Sequence, residues 1–146
     1  MKKIILLFAF IVSANIFVAQ EITQSSDDKS ASFVNQGLEK ANQNDWNSAI
    51  NYYTLAIQQN AKNAIAYYDR ATARYNLKDF RGAFMDYSKA INIDPTNSAD
   101  YVANSYYGRG LCFQYLGNKE KACQDFIRAN DLGNPDAANA VQVNCN

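Results

Sequence analysis

The chain has 146 residues, 48% of them apolar and 19% charged, with 14 basic residues against 14 acidic ones, which is the composition of one compact folded domain and not of a disordered tail. Histidine is absent, and that excludes Ser-His-Asp and Cys-His nucleophile systems, His-ligated zinc and a histidine general base. No Lys/Arg run follows Lys2-Lys3, so the electrostatic footprint for a phosphate backbone is missing and nucleic acid is not expected as a partner.

The chain opens on Lys2-Lys3, an apolar stretch from Ile4 to Val12, and small residues at Ser13, Ala14 and Ala19. This is the three-part pattern of a secretory signal peptide, here residues 1–20. Ser13 and Asn15 break the run before it reaches bilayer length, so no membrane span is expected after cleavage. The mature protein is expected to be exported, periplasmic or secreted. The cut site stays open between Val12-Ser13-Ala14 and Phe17-Val18-Ala19. Residues 21–30 are polar and lack hydrophobic periodicity, which reads as a flexible leader.

From residue 30 onward the chain repeats itself. A shift of 34 lines up Phe33 with Tyr67, Gly37 with Ala71, Asp45 with Asp79, Trp46 with Phe80, Ala49 with Ala83, Tyr53 with Tyr87 and Ala56 with Ala90. A further shift of 39 aligns Tyr67 with Tyr106, Ala71 with Gly110, Ala83 with Ala122, Tyr87 with Phe126 and Ala90 with Ala129. Within a unit, Tyr67 and Ala71 share one helix face, and Ala83, Tyr87 and Ala90 share another. Small residues at Ala71 and Ala83 let two helices approach closely, with Tyr67 and Tyr87 filling the space beyond. Asp45, Asp79 and Asn118 stand where the second helix of each unit needs an N-cap. Asp94-Pro95 closes the second unit. Asn134-Pro135 reads as an N-cap followed by Pro at the first helical position, opening a last helix over 135–144. The five extra residues before the third unit contain no Gly or Pro, so a longer first helix is expected there.

The period and the order aromatic, small, small, aromatic, small resemble the tetratricopeptide repeat. The second unit matches nearly throughout, at Tyr67, Ala71, Phe80, Ala83, Tyr87, Ala90 and Pro95. The first carries Ala61 where that pattern has Pro, and in the third Pro135 is displaced by one. The resemblance implies an all-α chain, an α-solenoid of three helix–turn–helix repeats (about 30–63, 64–97 and 103–136) within a domain of 31–146. The C-terminal helix would cap the oily end of the stack.

The three cysteines leave a choice. Cys123 and Cys145 come level across the hairpin that turns near Gly133-Asn134, so a disulfide there would staple the cap. Cys112 and Cys123 also come level, across Gly117, and three free thiols remain a further alternative. Cys112 lies in an apolar run beside Leu111 and Phe113, where a free Cys acts as a small hydrophobe. Exported members of the family look similar in ending on Ala-Cys, a Leu-Gly turn and a final Cys, as Ala122-Cys123, Leu132-Gly133 and Cys145 do. No C-x-x-C spacing is present, so no metal site is expected, and nothing points to a cofactor.

In the family the first helix of each unit lines a concave groove that takes peptides or helices. Carried over, the groove positions are Val34, Leu38 and Ala41; Ile65, Tyr68, Asp69, Thr72 and Tyr75; and Asn104, Tyr107, Leu111, Gln114 and Tyr115. Tyrosine suits recognition, with broad area and a polar tip, although the same rings could instead pack between repeats. Members that clamp a C-terminal carboxylate use Lys, Arg and Asn on this face. Val34, Leu38, Asn104 and Gly108 at the matching positions argue against such a clamp. The expected function is a non-enzymatic protein–protein interaction module outside the cytoplasm, binding a peptide segment or helix of unknown identity. The alternative is a structural or self-assembling, homo-oligomeric component of an envelope complex. Glu39, Asp69, Asp86 and Asp125 form no catalytic pair and read as solvated faces.

Overall fold

The computed structural model describes residues 25–93 and 99–145. Among these residues there are seven helices and no strand. They are α1 over 25–42, then α2 (Trp46–Gln59), α3 (Ala64–Asn76), α4 (Phe80–Ile93), α5 (Ala99–Tyr115), α6 (Lys119–Asp131) and α7 (Ala137–Asn144). None of the described helices is long and apolar enough to cross a membrane. The signal expected at 1–20 and the Asp94-Pro95 closure lie outside the described residues.

One local device builds all three helix–turn–helix units. The residue before the cap takes a left-handed conformation, with φ of 58° at Asn44, 63° at Lys78 and 80° at Gly117. That turn lets the N–H groups of Asp45, Asp79 and Asn118 donate back to the carbonyls of Lys40, Arg74 and Phe113, at 2.9, 2.9 and 2.8 Å. The same three residues then cap the next helix: their side chains accept from the N–H groups of Ser48, Gly82 and Lys121. A single Asp or Asn thus satisfies orphan groups of two helices.

Close approach within a unit depends on small side chains. Ala49, Ala71, Ala83 and Ala122 are fully or almost fully buried, as are Tyr53 and Phe126. A Cβ at Gly37 would collide with the Tyr53 ring, and one at Gly110 with the Phe126 ring. Ala71, Ala83, Tyr87 and Cys112 form one buried cluster. Tyr67 does not join it. Its ring lies under the Arg70 guanidinium, 5.6 Å from centroid to Cζ.

Each described helix from α2 onward packs on the next, and α3 also touches α5 directly, while even-numbered helices show no comparable contact. The odd-numbered helices therefore form the inner layer of a curved stack. The five extra residues lengthen α5, which has 17 residues against 13 in α3.

Two expectations are corrected. Residues 25–30 are not a flexible leader but the first turns of α1. Ser30 is buried; its hydroxyl donates to the Ala56 carbonyl and accepts from Asn63 Nδ2, both at 2.9 Å, and Asp27 accepts from Asn60 Nδ2. The segment is polar because those polar groups bind the end of α2 and the cap of α3. The last helix opens at Ala137, not at Pro135. Asn134 Oδ1 accepts from the N–H of Asp136 at 3.0 Å, closing an Asx turn two residues long before helix can start. Cys123 and Cys145 are joined by a disulfide with Cα atoms 5.3 Å apart, and Cys112 is free and buried. Burial pushes the Cys112 thiol up to about 12.

Candidate functional site

The inner layer is lined by α1, α3, α5 and α7. Leu38 on α1 is 41% exposed, whereas Val34 is buried in the core with Tyr53 and Ala66. On α3, Tyr68, Thr72 and Tyr75 are half-buried. Tyr68 meets Tyr101 edge to face at 5.5 Å and Tyr87 at 5.9 Å. Thr72 Oγ1 lies 3.1 Å from the Tyr87 hydroxyl and donates or accepts there. Tyr75 packs edge to face on Phe80 and on Tyr115, and Phe80 stacks on Tyr115 with centroids 4.3 Å apart. Tyr115 is still 63% exposed.

Tyr68, Tyr75 and Tyr115, all candidate groove positions, therefore pack between repeats while staying partly exposed to solvent. Burial raises the hydroxyl pKa of Tyr68, Tyr101 and Tyr107, so all three stay neutral donors at physiological pH. On α5, Tyr107, Leu111 and Gln114 form one wall of a cleft of about 310 Å³, and Pro135, Asn139 and Val143 belong to the other. Gln114 Nε2 donates to Asn144 Oδ1 at 2.8 Å, tying the two walls together.

Asp69 is a candidate groove position of a different kind. It sits on α3 next to Tyr68, and its Oδ2 is buried with no hydrogen-bond partner. Desolvation pushes its pKa up to about 7. The reading of Asp69 as a solvated charge is thus incorrect, and the same holds for Asp86 and Asp125. Arg70 Nε and Nη2 donate to the two oxygens of Asp86, each at 2.8 Å, and Arg74 Nη1 donates to Asp86 at 2.6 Å. Arg109 grips Asp125 with the same two-pronged geometry at 2.8 Å. The spare Nη1 of each Arg reaches back to a hydroxyl on the preceding unit: Thr54 at 3.0 Å and Ser88 at 3.2 Å. The periodic placement of Arg70 with Arg109, and of Asp86 with Asp125, was the available sequence signal for these pairs. Tyr101 had none, because it lies in the insertion without a counterpart in the other units.

A sequence profile described as "Tetratricopeptide repeat" matches residues 64–97 and 103–132. The human protein "DnaJ homolog subfamily C member 7" is 33% identical over 114 residues, covering 78% of this chain and 22% of the relative. The chain thus spans about a fifth of that relative's length. Among solved structures, the "Arabidopsis OM64 TPR domain" is 30% identical with a TM-score of 0.73, over 80% of this chain and 93% of that one. The "Second TPR of Spaghetti (RPAP3) bound to HSP90 peptide SRMEEVD" is 25% identical with a TM-score of 0.71, over 77% and 98%. These matches correct the expectation of export. The relatives that the chain resembles, among them "DnaJ homolog subfamily C member 7" and "Small glutamine-rich tetratricopeptide repeat-containing protein 2", speak against an exported, periplasmic or secreted protein.

Proposed function

This chain belongs to the tetratricopeptide repeat family, and on that footing we propose that it is a non-enzymatic module that holds a peptide segment or partner helix in its inner groove. A related repeat domain is described as bound to an HSP90 peptide, and the same curved stack of paired helices is present here. The observation that carries the reading is the row of half-exposed side chains on the inner layer: Leu38, Tyr68, Thr72, Tyr75, Tyr107, Leu111 and Tyr115. These rings are already held by neighbouring aromatics, so little rotamer freedom is lost when a ligand lands on them. None of the groove positions carries Lys or Arg. Binding should therefore gain little from an acidic tail and should not depend on a carboxylate clamp.

The test is capture of peptides from a displayed random library by the full chain, compared with the Tyr68→Ala, Tyr107→Ala double variant. Capture is expected to fail in the variant while its helical circular dichroism is unchanged. Undiminished capture would place the ligand elsewhere on the surface.

A further inference from the structure

Among the described residues, no ion pair reaches the carboxylate of Asp69. Its helix neighbours Arg70 and Arg74 are committed to Asp86 on α4. The titratable groups that feel its charge are Tyr53 from α2, Tyr68 from α3 and Tyr101 from α5. All three are neutral phenols held in that form by burial, so none neutralises it. A buried carboxylate oxygen without a donor is rare in folded proteins and calls for an explanation. Here the explanation has a direction, because Asp69 lies on the groove face between Tyr68 and Thr72 in a layer whose other named positions are all uncharged.

We propose that the groove selects a peptide segment carrying a basic side chain, whose lysine or arginine head seats on Asp69 beside the rings of Tyr68 and Tyr101. The charge arrangement favours this occupant over an acidic one. A cation reaching the half-buried Asp69 would be drawn to a carboxylate whose buried Oδ2 has no donor of its own, and would meet no like charge among the groove positions. Tyrosine faces attract a cation as well, and the T-shaped Tyr68–Tyr101 pair holds two rings within 5.5 Å of each other at this point of the groove. An acidic tail would bring a second negative charge against an unpaired carboxylate in a partly dry site. The lysine or arginine stem would lie along the apolar flanks of the groove, as such stems do on other surfaces.

The proposal rests on the groove being the binding site, and the test separates the two ideas. A displayed library of random decapeptides is selected on the full-length wild type and, in parallel, on Asp69→Asn, an isosteric change whose folding is checked by circular dichroism. Wild type is expected to enrich Lys or Arg at one position, and Asp69→Asn to lose that enrichment. A synthetic decapeptide from the wild-type pool should bind about tenfold more weakly when its basic residue is changed to Gln. Its affinity for wild type should also fall between about pH 8 and pH 5.5, as Asp69 takes up a proton while Tyr53, Tyr68 and Tyr101 stay neutral. Asp69→Asn should show no such fall. Peptides that need Tyr68 and Tyr107 but show no basic preference, or the same preference on Asp69→Asn, would overturn the cation site and leave the groove standing. A pool indifferent to Tyr68 and Tyr107, or no pool at all, would overturn both.

Discussion

Arg70 and Asp86 are joined by two parallel hydrogen bonds of 2.8 Å across the α3–α4 contact, and Asp86 is only 4% exposed. The third arm of the same guanidinium leaves the unit and ends on Thr54 of the one before. The pair therefore does two tasks with one side chain: it locks the two helices of a repeat and registers that repeat on its predecessor. The first unit has Gln36 and Tyr52 at the corresponding positions and so lacks this pair.

Removing the carboxylate should be severe. Asp86→Ala leaves Arg70 and Arg74 without the carboxylate they share, and loss of one partner of a buried pair costs roughly 3–5 kcal/mol. Chemical denaturation should show that loss at Asp86 and a similar one for Asp125→Ala, while Asp79→Ala loses a helix cap and an exposed ion pair with Arg74 at 3.9 Å, about 1 kcal/mol. Equal effects at all three positions would contradict the interlock.

Asp69 should behave in the opposite sense. Burial raises its pKa from 3.8 in the unfolded chain to about 7 in the folded one. Between those values the folded protein holds a proton that the unfolded chain has released, so stability falls as pH rises through this window and levels off above it. Asp69→Asn should remove that slope and stabilise the free protein near pH 8 by roughly 1–3 kcal/mol, the cost of a buried unpaired polar group. Thermal melts of both proteins across pH 5 to about 8 measure it directly.

The left-handed turn residues offer a gentler test. Lys78 has φ of 63° and pays the steric penalty of a Cβ in that region, whereas Gly117 meets the same demand at φ of 80°. Lys78→Gly is expected to raise stability by about 1 kcal/mol and Gly117→Lys to lower it by a similar amount. Two changes of the same sign would sink the account of the turn.

The Cys123–Cys145 bond closes a loop with a sequence separation of 22. On the chain-entropy model such a loop stabilises by about 3 kcal/mol. Cys145→Ser should lower the melting temperature of the oxidised protein and leave that of the reduced protein unchanged. Cys112, buried and with its thiol pKa raised, should resist alkylation in the folded state.

How much of this could be read from residues alone depended on what the period multiplied. Ala49, Ala83 and Ala122 recur in register with Tyr53, Tyr87 and Phe126, so three weak hints became one clear statement about helix pairs. The capping role of Asp45, Asp79 and Asn118 was visible for the same reason. Asp86 and Asp125 recur just as faithfully, yet charged residues on a helix read as solvated unless their partner sixteen residues upstream is noticed with them. Ser30 was misjudged because a polar stretch looks the same whether its hydroxyls face water or a neighbouring carbonyl. Asn134 was misjudged because an N-cap and an Asx turn begin with the same residue. The expectation of export rested on Lys2-Lys3, the apolar stretch Ile4 to Val12 and the small residues after it, a pattern in residues 1–20 alone, and the relatives matched over the repeats speak against it.

The hydroxyl that receives each guanidinium from the following repeat is Thr54 at the first junction and Ser88 at the second. The next residue in that series is Ile127, which has no hydroxyl and is 44% exposed on α6. Concatenating a fourth copy of the second repeat onto α6 would bring an arginine against a hydrocarbon, so artificial elongation of the array requires Ile127→Ser or Ile127→Thr at the graft.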